Sequence, residues 1–316
     1  MRIPIDGLRV GNYTDIEART GCTVLLFPEG TVASGEVRGG APATREFDLL
    51  APERVVERLD ALVLSGGSAF GLAAADGVVS YLADAGIGYA TAGGPVPIVV
   101  GLALYDLLEG DGSVRPVAAD GRVAAETATA TTEMAVATGL VGAGTGATVG
   151  KWRGRTHARP GGVGVAVVAH GGVTVAAVVV VNAAGDVGDP ATSAAVADGV
   201  FAGWPVTGGA GGTGGESGLA GLRGNTTIGA VVTDAALTKG QCLLLAQSAH
   251  DGLARAVFPP HMRSDGDAFV AAATGTCADA CSDAGAGADA GEPGADIDML
   301  RVLAVAAVER AVIRAC

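Results

Sequence analysis

A run of small and branched apolar residues at positions 161–181 constrains the fold more than any other part of this chain. The run is long enough to raise the question of a membrane-spanning helix. However, Gly171 and Gly172 divide it, His170 lies beside the break, and each half is rich in Val. Val favours strands, and a Gly-Gly pair is typical of a tight hairpin turn. We therefore predict a β-hairpin here, and no association with a membrane.

The overall composition permits a large packed core. The chain has 316 residues, of which 49% are hydrophobic and 17% are charged, and this length allows one large domain or two small ones. The apolar residues are mostly Ala and Val, accompanied by 52 Gly, which suits closely packed layers. Strands and helices are mixed without strict βαβ alternation, and this favours a layered α+β sandwich over a doubly wound parallel sheet.

The local patterns predict strands and helices along most of the chain. Short Val-rich segments bounded by Gly or Asn predict strands at 23–27, 61–64, 163–168, 173–181 and 227–232. Apolar residues at a helical period predict helices at 52–59, 68–85, 238–257 and 297–313. Ser68 is the expected N-cap of the second helix, and Thr238 and Gln241 have the spacing of a capping box.

The net charge, the first residues and the cysteines bear on the partners, the location and the cross-links of the protein. A net charge of −13 argues against nucleic acid, because phosphate binding needs a basic face and the 20 Lys and Arg residues are scattered. Residues 1–6 lead into a charged segment without the apolar core of a secretory signal, so we expect a cytoplasmic protein. Cys277 and Cys281 permit a disulfide or a metal clip, but buried thiols are the favoured interpretation.

Two segments contain too few apolar residues to offset the entropy of ordering, and we expect both to be flexible. Residues 208–224 carry Gly-Gly repeats, and residues 277–296 are rich in Ala, Gly and Asp. The second segment is typical of a surface insertion before the last helix.

The segment GNTTIGAVVTD at 224–234 places a hydroxyl nucleophile at the start of an apolar strand. If the bond between Asn225 and Thr226 breaks, Thr226 holds both a hydroxyl and a free α-amine that can act as its base. The pKa of such an amine is roughly 7.7 to 8.0, so an appreciable fraction is neutral near pH 7. The same residues are also common turn chemistry at a strand entry, and the local sequence leaves both interpretations open.

Five blocks of sequence occur together in the order found in a known enzyme family: VGNYTD at 10–15, RGGAPATRE at 38–46, LSGGSAFGL at 64–72, GAGTGATVGK at 142–151 and NTTIGAVVTDAALTK at 225–239. Through these blocks the chain resembles the N-terminal-nucleophile aminopeptidases and amidases. That family includes the L-aminopeptidase/D-amidase/esterases, the β-peptidyl aminopeptidases and the nylon-oligomer (6-aminohexanoate) endo-hydrolases. The resemblance extends over nearly the whole chain.

The resemblance implies a single domain with a four-layer α-β-β-α sandwich, self-cleaved into residues 1–225 and 226–316. Asn225 and Thr226 would flank the cleaved bond, and Thr226 would be the nucleophile. The resemblance further implies a homo-oligomer, a tetramer of processed protomers, and no metal or organic cofactor.

The resemblance also implies roles for five further side chains. Lys151 would place a cation beside the α-amine, and the amide of Asn182 would donate to the scissile carbonyl oxygen. Asp265 and Asp267 would hold the protonated α-amine and orient the hydroxyl. Tyr105 would lie in the substrate pocket. The residues alone also allow a solvated surface lysine at position 151 and a turn cap at position 182.

Four other motif matches, in three segments, fail. The segment 66–71 is similar to the nucleophile elbow of serine hydrolases, but Phe70 stands where that motif has Gly. The segment 142–151 fits no Walker loop, because Thr145 and Trp152 replace required residues, and no acidic residue follows at the distance that a dinucleotide site needs. The Asp-Gly-Asp segment at 265–267 lacks the further ligands of a calcium loop.

We therefore expect a self-processing N-terminal-threonine amidohydrolase or aminopeptidase that acts through an acyl-enzyme ester. Its substrates would be small peptides, aminoacyl amides or ω-amino-acid oligomers. One alternative is an acyltransferase of the ornithine acetyltransferase type, although the Met-Ala-Thr processing context of those enzymes is absent. A second alternative is an unprocessed, non-enzymatic oligomeric relative.

Overall fold

A computed structural model describes residues 1–130, 135–152, 154–199, 224–277 and 296–316. Nearly all of the two segments predicted to be flexible, 208–224 and 277–296, lies outside these ranges, so that prediction stays a prediction. Within the ranges, no helix is both long enough and apolar enough to cross a membrane.

The described ranges contain sixteen strands: β1 Arg9–Asp15, β2 Thr20–Leu26, β3 Val32–Val37, β4 Ala43–Arg45, β5 Ala61–Ser65, β6 Tyr89–Thr91, β7 Gly94–Val96, β8 Val99–Ala103, β9 Thr148–Val149, β10 Arg159–Pro160, β11 Gly162–His170, β12 Val173–Asn182, β13 Asp186–Val187, β14 Thr226–Thr233, β15 Val257–Phe258 and β16 Ala268–Ala273. The α-helices in these ranges are α1 Ala74–Asp84, α2 Ala118–Ala130, α3 Pro190–Ala197, α4 Lys239–Ala256 and α5 Ile297–Arg314. All five predicted strands are present, with ends shifted by a few residues. The mixed content agrees with the predicted α+β class.

Two five-stranded sheets form the centre of the protein. Their strand orders are β1-β2-β5-β8-β4 and β11-β12-β14-β16-β3. The predicted hairpin is confirmed as β11 and β12, whose turn residues Gly171 and Gly172 have φ of 59° and 81°. In the second sheet, β14 lies between β12, to which it is antiparallel, and β16, to which it is parallel. The predicted nucleophile is therefore at one end of a central strand.

Three clusters of buried apolar side chains connect these elements. One joins the facing sides of the two sheets and includes Leu64 and Ile228. A second joins the second sheet to α4 and α5 and includes Val231 and Leu245. The third joins the first sheet to α1 and α2 and includes Val63. Because successive side chains of a strand point to opposite faces, β14 contributes alternate residues to two clusters.

The helix predicted at 52–59 is wrong, because these residues form turns and an isolated bridge. The ammonium group of Lys239 explains the difference. Its Nζ donates to the carbonyl oxygens of Leu49, Arg54 and Val56 at 2.8, 3.2 and 2.9 Å. Carbonyls that converge on one cation do not point along a helix axis, so a partner far away in the sequence overrides the local pattern.

The two predicted helix starts have different outcomes. The capping box is confirmed, because Gln241 N–H donates to Thr238 Oγ1 at 3.3 Å and Thr238 N–H donates to Gln241 Oε1 at 2.9 Å. Ser68 is not an N-cap: it has φ of 57° and begins a 3₁₀ helix, Ser68–Ala73, that leads into α1. Gly67 precedes this helix with φ of 79°, so the turn depends on backbone conformation rather than on a side-chain cap.

Two glycines in helices allow a matched test of this packing. A Cβ added to Gly121 of α2 would overlap the carbonyl oxygen of Ala74, whereas a Cβ added to Gly240 of α4 would meet nothing within 4 Å. We expect Gly121→Ala to lower the free energy of unfolding by about 1–3 kcal/mol. Gly240→Ala should leave it unchanged or raise it by up to about 1 kcal/mol. Denaturant unfolding measures both, and equal effects would contradict the close contact of α1 with α2.

Candidate active site

Thr226 is the first residue of β14, so it lies at the end of a central strand of the second sheet. Only 3% of its surface is exposed. Its register partner is Asn182, the last residue of β12. The Thr226 hydroxyl donates a hydrogen bond to the carbonyl oxygen of Asn225. This carbonyl belongs to the bond whose cleavage the sequence predicts. The nucleophile and the group that it would attack are therefore already in contact.

Gly266 completes the environment of that carbonyl. Its N–H donates to the Asn225 oxygen at 3.1 Å. A Cβ at position 266 would lie 2.8 Å from Thr226 Oγ1 and 2.7 Å from the carbonyl oxygen of Ala41, so only glycine fits without displacement. A backbone N–H aimed at a reacting carbonyl can stabilise an oxyanion. We did not single out Gly266 from the sequence, although its place between the two predicted carboxylates was a usable signal.

Asp265 binds the backbone on both sides of the site. Its Oδ1 accepts from the N–H of Ala184 at 3.2 Å, and its Oδ2 accepts from the N–H of Met262 at 2.8 Å. Burial raises the pKa of Asp265, and the negative charge of Asp267 raises it further. The two N–H groups and the Lys151 ammonium act in the opposite direction.

Asp267 binds the strand of the nucleophile. Its Oδ1 accepts from the N–H of Thr227 at 2.6 Å. Its Oδ2 contacts His261 twice, through the backbone N–H at 3.2 Å and ring Nδ1 at 2.8 Å. Asp267 thus holds the backbone directly after Thr226, whereas Asp265 holds the backbone two residues after Asn182, the register partner of Thr226. Their predicted contact with the freed α-amine stays a prediction. His261 did not emerge from the sequence, because the contact requires its unusual backbone φ of 51°.

Lys151 and Asn182 form a buried pair, so the alternative of a solvated surface lysine is wrong. Lys151 is 3% exposed, and its Nζ donates to Asn182 Oδ1 at 2.8 Å. The N–H of Thr148 donates to the same oxygen at 2.9 Å. Burial lowers the pKa of Lys151 to about 7, although the charges of Glu109 and Asp265 favour its protonated form. The lysine can therefore change its charge near neutral pH.

Asn182 and Tyr105 are brought to the same place. Asn182 Nδ2 donates to the carbonyl oxygen of Tyr105 at 2.9 Å. In the intact chain the scissile carbonyl is thus contacted by Gly266, and the donor role predicted for Asn182 stays a prediction. The Tyr105 ring lies against Gly224, which has φ of +101° and no room for a Cβ. Tyr105 therefore contacts the chain immediately before the predicted cleavage site.

The glycine-rich segment after β3 forms hydrogen bonds to the loop at residues 265–267, which carries both carboxylates. The N–H groups of Arg38 and Gly39 donate to the carbonyl oxygen of Asp267 at 3.0 and 3.2 Å, and the N–H of Ala41 donates to that of Asp265 at 2.8 Å. A Cβ at Gly39 would overlap this loop. One of the sequence blocks that carry the resemblance is thus part of the site's support.

Within the described ranges, no group of three or more His, Cys, Asp or Glu residues could hold a metal ion. Among the described residues, Cys22, Cys242, Cys277 and Cys316 form no disulfide with one another; the first three are buried and Cys316 is exposed. Cys281 lies outside the described residues, so its pairing with Cys277 stays untested.

The sequence is similar to known proteins along most of its length. The profile of peptidase family S58 matches residues 3–316. An uncharacterized aminopeptidase of Mycobacterium leprae (strain TN) is 43% identical over 287 residues, which cover 86% of this chain and 77% of that protein. The 6-aminohexanoate-oligomer endohydrolase of Kocuria sp. (strain KY2) is 29% identical over 287 residues, which cover 87% of this chain and 75% of that protein.

Solved structures agree with this assignment. A Burkholderia sp. β-aminopeptidase superposes with a TM-score of 0.67 at 25% identity, over 98% of this chain and 84% of that chain. The L-aminopeptidase D-Ala-esterase/amidase of Ochrobactrum anthropi, a variant of the Ntn hydrolase fold, shares the fold with a TM-score of 0.69 at 21% identity, over the same shares of the two chains. The family predicted from the sequence is confirmed, and the chain is a hydrolase that belongs to peptidase family S58.

Proposed function

We propose that the chain cleaves itself between Asn225 and Thr226, and that Thr226 then serves as the N-terminal nucleophile of an amidohydrolase. One observation carries this proposal. The Asn225 carbonyl oxygen accepts hydrogen bonds from the Thr226 hydroxyl and from the Gly266 N–H. The nucleophile and an oxyanion donor thus converge on one peptide carbonyl, as acyl transfer requires.

The proposed processing step is an acyl shift from nitrogen to oxygen. Thr226 Oγ1 attacks the carbonyl carbon of Asn225, and the Gly266 N–H stabilises the negative oxygen that develops. The bond from this carbon to the Thr226 nitrogen then breaks, the nitrogen takes up a proton, and an ester links Asn225 to Thr226 Oγ1. Water hydrolyses this ester, which leaves a carboxylate on Asn225 and a free α-amine on Thr226.

Turnover of a substrate follows the same chemistry. The α-amine of Thr226 accepts the hydroxyl proton while Oγ1 attacks the amide carbonyl of the substrate. The amine product leaves with a proton, and water releases the acyl group from the ester. Lys151 in its protonated form lowers the pKa of the nearby α-amine and stabilises negative charge. Asp267 fixes the start of β14 through Thr227, and Asp265 fixes the loop that carries Gly266.

The substrate class follows from the relatives. The protein at 43% identity is named an aminopeptidase, and the endohydrolase of 6-aminohexanoate oligomers is more distant at 29%. We therefore propose small peptides and aminoacyl amides as substrates, ahead of ω-amino-acid oligomers.

We also propose that the chain forms a single domain with four layers. The three apolar clusters, between helices and sheet, between the two sheets, and between sheet and helices, support the four-layer α-β-β-α sandwich in a single domain. The predicted tetramer and the cytoplasmic location stay predictions.

The first prediction concerns cleavage. Purified protein should consist of two fragments, the smaller beginning at Thr226, as intact-mass spectrometry will show. Thr226→Ala should stay intact and lose hydrolysis, because it lacks the nucleophile. Thr227→Val is the matched control. Among the described residues, the buried Thr227 hydroxyl has no hydrogen-bond partner, so this variant should still cleave. A wild-type chain that remains intact near neutral pH would contradict the proposal.

The second prediction concerns pH. Because the pKa of Lys151 is lowered to about 7, the side chain is protonated below that pH and neutral above it. If the ammonium supports catalysis, kcat/KM should rise as the α-amine of Thr226 loses its proton and should then fall on an alkaline limb as Lys151 loses its own. Lys151→Met should be slower by about 10²-fold and should lack this alkaline limb. An unchanged alkaline limb in Lys151→Met would assign it to another group.

The third prediction separates hydrolysis from acyl transfer. With a panel of aminoacyl p-nitroanilides, p-nitroaniline and the free amino acid should form without any added acceptor, because water completes the reaction. Ornithine or another amine should not be required. Product formation only in the presence of an amine acceptor would favour the acyltransferase instead.

A further inference from the structure

His261 holds the carboxylate of Asp267 in an unusual way. Its φ of 51° lies in the left-handed region, which few residues other than Gly, Asn, Asp and His adopt. In this conformation its backbone N–H and its ring Nδ1 both reach Asp267 Oδ2, at 3.2 and 2.8 Å. The backbone N–H donates to this same oxygen, so Oδ2 acts here as an acceptor, and we assign the proton of the ring contact to Nδ1.

The second oxygen of the same carboxylate acts on the nucleophile's strand. Asp267 Oδ1 accepts the N–H of Thr227 at 2.6 Å, directly after Thr226. A carboxylate bound through one oxygen can still rotate about its Cβ–Cγ bond. Bonds to both oxygens fix that rotation. His261 and Thr227 are therefore linked through Asp267, and the orientation of the carboxylate depends on both.

The neighbouring His250 leaves this arrangement undisturbed. Its ring centre lies 5.0 Å from that of His261, and its Nε2 donates to the carbonyl oxygen of Glu36 at 2.9 Å. Burial lowers the pKa of His250 to about 3, so its ring is neutral and brings no positive charge to His261. Within the described residues, Nε2 of His261 is buried and has no hydrogen-bond partner. Of the two ring nitrogens of His261, Nδ1 is therefore the one with a hydrogen-bond partner among the described residues, and that partner is Asp267.

We propose that His261 is a positioning residue of the active site. Its Nδ1–H, at 2.8 Å, is the shorter of the two bonds that it gives to Asp267 Oδ2, and it strengthens the 3.2 Å bond of the backbone N–H. Together they fix the carboxylate that holds the Thr227 N–H, which sets the orientation of the Thr226 hydroxyl. This inference rests on the proposed function of Thr226. It differs from a purely structural role, because it requires a donor at the position of Nδ1 rather than a ring that fills space.

Three substitutions of His261 separate these roles. In His261→Asn, the side-chain nitrogen is two bonds from Cβ, as Nδ1 is, so the donor remains. His261→Gln places its nitrogen one bond further out, and His261→Phe keeps a ring without a donor. We expect kcat to fall about 10- to 100-fold for Phe and Gln, with KM nearly unchanged, and to stay within a few-fold of wild type for Asn. His170→Asn, at an exposed strand end, is the matched control and should be neutral.

The readouts are hydrolysis of the aminoacyl p-nitroanilide that the wild type cleaves fastest and the rate of self-cleavage after cell-free synthesis. If wild type neither cleaves itself nor hydrolyses any substrate, or if Thr226→Ala does either, the proposed function itself is wrong. If wild type is processed and active but His261→Phe is equally fast, the positioning role is overturned. If His261→Phe does not fold, the Asn and Gln variants decide: equal rates in these two would also overturn it.

Discussion

The parallel pairing of β14 and β16 is the constraint on which the site depends. The two strands are paired in register, so their first residues lie at the same end of the sheet. An isolated bridge extends the pairing to Asn225 and Asp265. The residues just before each strand, which are far apart in the sequence, therefore meet. Desolvating the carboxylates of Asp265 and Asp267 is costly, and the backbone N–H groups that they accept offset this cost. Those same hydrogen bonds fix the loop that carries the Gly266 N–H.

Cleavage would add one basic and one acidic group to the protein, under the proposed function. In the intact chain, burial favours the neutral forms of both Lys151 and Asp265, although the charge of each favours the ionised form of the other. Cleavage releases the α-amine of Thr226 and the carboxylate of Asn225, so the net charge of the protein does not change when both groups are ionised. The α-amine that acts as base is also a new site for a proton, and a proton there favours the ionised form of Asp265.

Sequence reasoning succeeded where a pattern was local: the hairpin at β11 and β12 and the cap at Thr238 follow from local chemistry. Lys151, Asn182 and the two aspartates came from resemblance, and their catalytic roles stay predictions. Sequence reasoning failed where the hydrogen-bond partners of a segment are distant in the sequence. The carbonyls of residues 49–56 bind an ammonium on α4 instead of forming a helix. His261 was missed because its contact with Asp267 depends on a backbone angle that no residue pattern encodes.

Two glycines close to the scissile bond in space let the backbone set the geometry of the site. Gly224 lies against the Tyr105 ring and Gly266 against Thr226 Oγ1, and neither has room for a Cβ. A donor on the backbone has no side-chain rotamers to lose, so the oxyanion contact needs no reorganisation when charge develops. The carboxylates on either side of Gly266 are each bound through both oxygens to backbone N–H groups. The loop at residues 265–267 is thus held on both sides of Gly266. This keeps the Gly266 N–H directed at the carbonyl oxygen of Asn225.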